Sequence, residues 1–314
     1  MKAWLFTGAH EPLVRIERET PAPGEGEVLL TVRGSGLCHS DVGRMDGTLT
    51  PYMPKKPPIV LGHEIAGVVE TAGPGVTRFA PGDRVVASGT IAYCPGRDAD
   101  GGYASHVLLP AACLLPLPDT VSFAQGAAAT DAGQTSHSAL VNAGGLEAGM
   151  KVGIIGLGGL GMTAARIAAL LGAEVHAAEP RREAWDTASA LGVRGVVADA
   201  DGLAPLAPDL IVDFAGFGTT TAAAIRAVRP FGRVVQVGLG VARAEIDMQV
   251  LIGRNVTLRG SGGGTPADTA AVFAMMARGD LEIAASTIGF EDIPEGLDRL
   301  ARGGVIGRIV AEMT

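Results

Sequence analysis

Apolar and polar positions change rhythm twice along the chain. Up to about Leu115 the apolar residues come in short runs: Lys2–Phe6, Glu27–Gly34, Ile59–Thr71, Arg84–Ser88 and Tyr103–Leu109. Turn chemistry separates them, in PAPGEG, GPGV and APGD, so this part predicts strands joined by turns and a β-rich, partly closed barrel. From Thr120 to Ala143 the opening TVSFAQGAAAT offers hydroxyl caps and small packing residues, which predicts a helix. Strand-like runs then recur at Lys151–Ile155, Glu174–Ala178, Gly195–Ala198, Asp209–Phe214, Arg233–Gly238 and Val256–Arg259, with helical segments between them. That alternation predicts an α/β doubly wound parallel sheet. After the SGGG at Ser261–Gly264 helices are expected near Asp268–Arg278 and Ile293–Arg302, then a last strand at Ile306–Ala311. This tail is expected to rejoin the first domain, which makes that domain discontinuous: residues 1–132 with 263–314, around a second domain of residues 133–262.

The first strand of the alternating region runs into KVGIIGLGGLG, Lys151–Gly161. Glycines at 156, 158 and 161 have separate tasks: a tight turn, close approach of a pyrophosphate to the backbone, and close packing of helix on strand. The helix that starts at Gly159 and Leu160 offers unpaired N–H groups to that anion. With 46 glycines in the chain such spacing arises by chance, so the strand-helix context decides the matter. The next strand ends in Glu179, at the offset where an acid binds the adenosine ribose. A carboxylate there accepts from a 2′-hydroxyl and repels a 2′-phosphate, so NAD is the expected cofactor. Arg181 and Arg182 follow at once and keep NADP as the alternative.

A formal charge of -8 excludes nucleic acid as partner, since such binding rests on Lys and Arg against phosphates. No apolar run reaches the roughly 18 residues needed to cross a bilayer, and the N-terminal stretch lacks the pattern of a secretory signal. The expected location is cytoplasmic, without membrane contact. Three cysteines, Cys38, Cys94 and Cys113, are too few for a disulfide framework and are weighed as thiols or metal ligands.

Two strings carry ligand chemistry: GLCHSD from Gly36 and LGHEIAGVV from Leu61. Cys38 and His63 supply a soft thiolate and an imidazole, with Ser40, Asp41 and Glu64 beside them. A third ligand is required, and Asp131 in ATDAGQTSHSAL is the candidate. Three protein ligands with one position open describe a catalytic zinc, where a structural one is closed by four. Singly, each residue has a plainer role as a buried thiol, a core histidine or a helix cap.

With these strings, the glycine fingerprint, RNVTLRGS at Arg254 and GRIV at Gly307, the chain resembles the zinc-dependent medium-chain alcohol dehydrogenases over essentially its whole length. The resemblance implies a Rossmann dinucleotide-binding domain and a discontinuous GroES-like catalytic domain. It implies one catalytic zinc on Cys38, His63 and Asp131, with Glu64 behind the metal and Asp41 orienting His63. Ser40 then stands where a hydroxyl takes the substrate proton. His39 and Arg308 match pyrophosphate contacts, Thr135 falls beside the nicotinamide, and Val237 is a further cofactor-binding position. The implied reaction is hydride transfer between NAD(H) and an alcohol or carbonyl, a secondary alcohol, ketone or aldehyde, in a homodimer or homotetramer that pairs through the strand Val256–Arg259.

Three departures accompany the resemblance. Only Cys94 stands where relatives carry four closely spaced cysteines on a lobe, so no structural zinc is expected. Gly43 occupies the place of a proton-relaying histidine, and Gly89 replaces a bulky aromatic, a hint of a roomier substrate pocket. Two other readings remain: a zinc-independent quinone, enoyl or imine reductase of the same fold, and a cofactor-bound redox sensor or scaffold without turnover.

Overall fold

In chain order the strands β1 (Lys2–Phe6), β2 (Val14–Glu17) and β3 (Glu27–Leu37) lead into helix α1 (His39–Met45). Strands β4 (Ile59–Val60), β5 (Glu64–Ala72), β6 (Arg84–Ala87), β7 (His106–Pro110) and β8 (Leu114–Pro116) precede helix α2 (Phe123–Ala128). Helix α3 (Gln134–Ser138) is followed by β9 (Lys151–Ile155), α4 (Gly159–Leu170), β10 (Glu174–Ala178), α5 (Trp185–Ala190) and β11 (Val193–Val197). Next come β12 (Leu210–Asp213), α6 (Thr219–Ala227), β13 (Arg233–Gln236), α7 (Met248–Gly253) and β14 (Thr257–Gly260). The chain closes on α8 (Pro266–Ala277), β15 (Ala285–Gly289), α9 (Ile293–Ala301) and β16 (Arg308–Glu312). These elements come from a computed structural model that describes residues 1–313. They group into two units, Met1–Asp131 with the chain from Thr265, and Ala132–Gly264.

The second unit is built on a six-stranded sheet in the order β11-β10-β9-β12-β13-β14, parallel throughout. Its central strands β9, β12 and β13 bury most of their residues, among them Val152, Ile154, Ile211, Val212, Val234 and Val235, which is why they appear in the sequence as apolar runs. The strand order reverses between β9 and β12, where Ile155 pairs with Asp213. Beyond the carboxyl ends of those two strands lies the crevice in which such sheets bind ligands.

The first unit carries a sheet in the order β15-β16-β3-β5-β6-β8 with β7 also paired to β3, and a small sheet β2-β1-β4. Strand β16 lies antiparallel to β3, with Ile309 opposite Leu37 and Val310 opposite Gly36. The returning tail is thus fixed against the segment that presents Cys38. Leu37, Leu61, Ile65, Tyr103 and Ile309 form part of the core beneath it.

The expected single strand Ile59–Thr71 is broken. Leu61–His63 leave the ladder between β4 and β5, because Gly62 takes a φ of 89° that L side chains rarely adopt. A Cβ there would stand 2.5 Å from the Tyr103 ring and 2.9 Å from its backbone nitrogen. Gly62→Ala is therefore expected to destabilise the fold by about 2–4 kcal/mol, visible as a fall in the thermal midpoint. A variant that melts with the wild type would contradict this account. The expected helix Thr120–Ala143 is likewise subdivided: π-helical turns occupy Ala129–Gly133 and Ala139–Ala143 around α3.

Candidate active site

Four side chains from distant stretches meet in the first unit. Cys38 caps the start of α1, His63 ends the break before β5 and Glu64 opens that strand, and Asp131 lies in the first π-helical turn, a wide turn of the kind often found at functional sites. One ligand atom from each of Cys38, His63, Glu64 and Asp131 lies within 4.8 Å of all the others. The Cys38 thiol is 3.4 Å from Asp131 Oδ2, and His63 Nε2 is 3.9 Å from the same oxygen.

Burial makes this grouping costly unless something positive joins it. Glu64 is fully buried, and neither of its carboxylate oxygens accepts a hydrogen bond. Arg308 Nη2 lies 3.1 Å from its Oε1. Burial pushes the Glu64 carboxyl up to about 8, against the pull of Arg308. A sulfur, an imidazole nitrogen and carboxylate oxygens at this spacing, with two unsatisfied buried oxygens, fit a zinc ion.

Arg308 is itself buried and reaches Asp131 Oδ2 as well as Glu64. Burial disfavours its charge, yet Glu64, Cys38 and Asp131 more than offset that and keep the guanidinium protonated. The position expected to touch a pyrophosphate is therefore lodged among the groups that could hold a metal.

Behind His63 sits Asp41, fully buried, with Oδ1 3.5 Å from His63 Nδ1. Arg44 donates to the same carboxylate at 2.7 Å and the Tyr103 hydroxyl at 2.8 Å. Burial works against ionisation of Asp41, but His63, Arg44 and Tyr103 together hold it down at about 2. Arg44 stands three residues after Asp41 on α1, a spacing at which helical side chains meet, and was missed in the sequence; Tyr103 gave no sign, since only the fold brings it to Asp41. Ser40 is half-buried and His39 exposed on the first turn of α1. Gly89 offers no opening toward Cys94, whose Sγ would stand 2.9 Å from a Cβ built there.

In the second unit the fingerprint glycines divide their tasks by geometry. Gly156 has a φ of 85°, a Cβ on Gly158 would meet nothing within 4 Å, and one on Gly161 would lie 1.8 Å from Gly156 O. Helix α3 is tied to α4 by the Ser136 hydroxyl, which donates to Leu160 O at 2.8 Å, and the buried Thr135 is its neighbour. Val237 is half-buried just past β13. Its N–H donates to Asp213 O at 3.0 Å. Glu179 follows β10, and its Oε2 accepts from Leu157 N at 2.8 Å, joining the acid to the glycine turn.

Comparison with known proteins agrees with this geometry. The alcohol dehydrogenase GroES-like domain matches residues 24–119, and the zinc-binding dehydrogenase domain matches residues 159–278. An alcohol dehydrogenase from Geobacillus stearothermophilus is 31% identical over 100% of both chains. The chain belongs to the zinc-binding alcohol dehydrogenase family. Acetophenone reductase from Geotrichum candidum, solved in complex with NAD, superposes with a TM-score of 0.89 at 29% identity, covering 99% of this chain and 96% of that one. An NADP-dependent alcohol dehydrogenase of Mycolicibacterium smegmatis is 28% identical over 99% of this chain and 97% of its own. This alcohol dehydrogenase is NAD(P)-dependent and acts on a small alcohol or carbonyl. Among the described residues no helix is long and apolar enough to cross a membrane.

Proposed function

We propose that the enzyme interconverts a secondary alcohol and its ketone, or an alcohol and an aldehyde, with NAD(H) as a cofactor and one zinc per chain held by Cys38, His63 and Asp131. The observation that supports this reading most directly is the convergence of those three side chains with Glu64, whose buried oxygens accept no hydrogen bond. When bound, the zinc polarises the substrate oxygen as a Lewis acid and the nicotinamide gives or takes the hydride.

The chain's own residues do the rest. Asp41, itself fixed by Arg44 and Tyr103, orients His63. Glu64 stands within ligand reach and serves as the alternative carboxylate during exchange. Ser40, two residues after Cys38, takes the alcohol proton and passes it to water at the first turn of α1, where Gly43 leaves no relaying histidine. His39 contacts the pyrophosphate, and Thr135 and Val237 flank the nicotinamide. Arg308 holds the charge balance of the ligand cluster.

The edge strand β14 is exposed along its length, and Leu258 on it and Met248 and Ile252 on the preceding helix are exposed apolar residues. Such an edge invites pairing, and we assign it to a second copy of the chain in a homodimer or homotetramer.

Two measurements test the reading: metal content by emission spectroscopy, and oxidation of NADH against aldehydes and ketones. About one zinc per chain is expected, together with turnover that a chelator removes. A metal-free and fully active protein would replace this mechanism with that of a zinc-independent reductase, and silence across the panel would favour a scaffold without turnover.

A further inference from the structure

We propose that Asp213 is a positioning residue for the nicotinamide end of the cofactor: its buried carboxylate fastens the turns after β12 and β13 to each other before a dinucleotide arrives. The inference rests on the dinucleotide reading above and deepens it at one end of the site. Asp213 is the last residue of β12, at the point where the strand order reverses, and it is fully buried. A carboxylate so placed is costly unless its oxygens are filled.

They are filled from two directions. Oδ1 accepts from Ala215 N and Gly216 N, both at 2.9 Å, so the chain turns over the acid as it leaves the strand. Oδ2 accepts from the Thr220 hydroxyl at 2.8 Å and the Thr221 hydroxyl at 3.1 Å, which ties the first turn of α6 to the same group. An ionised carboxylate only accepts, at about four lone-pair sites, and these four donors suit it. The backbone oxygen of the same residue accepts from Val237 N at 3.0 Å and Gly238 N at 2.9 Å. Asp213 thus holds its own turn through the side chain and the turn after β13 through the main chain.

A second link joins the two turns. The Thr221 hydroxyl lies 2.9 Å from Gln236 Oε1, and Gln236 Nε2 donates to Gly238 O at 2.8 Å. Packing between the turns is close: a Cβ on Gly216 would collide with Gly238 O, and one on Gly238 would collide with Phe214 O. Because these are backbone contacts, one turn cannot shift without the other. The glycine fingerprint meets the same assembly, since a Cβ on Gly156 would stand 3.2 Å from Ala215 Cβ.

The consequence is local. Val237, in the turn after β13, is assigned above to the nicotinamide, whereas Glu179 and the glycine turn serve the adenosine ribose and the pyrophosphate. Loss of the Thr221 link loosens the turn after β13 and leaves the Ala215 and Gly216 bonds to Oδ1, and with them the contact on Gly156, in place. Order built in by Asp213 is order that the cofactor need not impose, which is how a fixed loop raises affinity.

Isothermal titration calorimetry of the full-length enzyme with NADH, and with ADP-ribose, which is the same nucleotide without its nicotinamide, tests this and needs neither zinc nor a carbonyl substrate. Thr221→Val, which keeps the shape and removes the hydroxyl, is expected to weaken NADH about fivefold while ADP-ribose moves less than about twofold. Asp213→Ala is expected to weaken NADH by about tenfold or more. Asp213→Asn is the conservative variant: its amide oxygen faces the two backbone N–H groups and its NH₂ group donates to the threonine hydroxyls. It is expected to stay within about threefold of the wild type for both ligands. A thermal melt checks that each variant is folded, and where Asp213→Ala is not, the other two decide. A folded Thr221→Val protein that binds NADH as the wild type does, or that loses NADH and ADP-ribose equally, would overturn the proposal and leave Asp213 a strut of the fold. So would an Asp213→Asn protein no better than Asp213→Ala. A wild type that binds neither ligand would overturn the dinucleotide reading itself, and this inference with it.

Discussion

Asp131→Ala is expected to purify with far less than one zinc per chain and to reduce carbonyl compounds about 10³-fold or more slowly than the wild type, because two protein ligands do not hold a catalytic zinc. The geometry makes Asp131 the common partner of the cluster: the Cys38 thiol and His63 Nε2 both approach its Oδ2, and Arg308 reaches the same oxygen. Removing the carboxylate also leaves a buried guanidinium with Glu64 as its remaining acidic contact, a loss expected to cost about 2–4 kcal/mol of stability. Asp131→Asn separates the two effects, since the amide preserves packing and an acceptor for Arg308 while giving up the charge that draws the metal. Asp131→Cys supplies a softer ligand and is expected to retain zinc. Full metal content and an unchanged rate in Asp131→Ala would show that the cation, if any, is held elsewhere.

What could be seen in advance depended on whether a feature was local in the chain. The parallel sheet was legible because its central strands are buried on both faces and announce themselves as apolar runs between helices, and the reversal after the glycine turn followed from that order. Strands β2 and β15 were not anticipated: their residues are largely exposed, so no apolar rhythm marks them. The break at Gly62 hid inside an apolar stretch that looked continuous. At the site, Cys38, His63 and Asp131 stood out through their flanking strings; Arg44 was within reach of the same reasoning, three residues after Asp41 on one helix, whereas Tyr103 meets Asp41 through the fold alone, and nothing near it in sequence hints at it. Arg181 was visible as a charge next to Glu179. That it lies on the carboxylate is a property of side-chain direction that spacing does not encode.

The fingerprint glycines separate folding from binding in the second of the large effects. Gly161→Ala would place a methyl carbon 1.8 Å from Gly156 O and 2.9 Å from Gly156 C, backbone atoms that cannot turn aside as a flexible side chain would. Gly156 is committed to a φ of 85°, so the turn has no ordinary conformation into which to relax, and helix α4 must lift from β9. The expected cost is about 3–5 kcal/mol, a large part of the roughly 5–15 kcal/mol that holds a domain together, with dinucleotide binding lost as the turn opens. Gly158→Ala is a different case. Gly158 caps α4 with a φ of -82° that any residue adopts, and its Cβ would enter open space, so stability should hold within about 0.5 kcal/mol. That open space is where the backbone must come close to a pyrophosphate, and a methyl group there is expected to weaken NADH by about tenfold or more. Melting curves and NADH titrations of the two variants decide the matter together: a Gly161→Ala protein as stable as the wild type, or a Gly158→Ala protein with wild-type affinity, would mean that the turn does not hold the cofactor in the manner described.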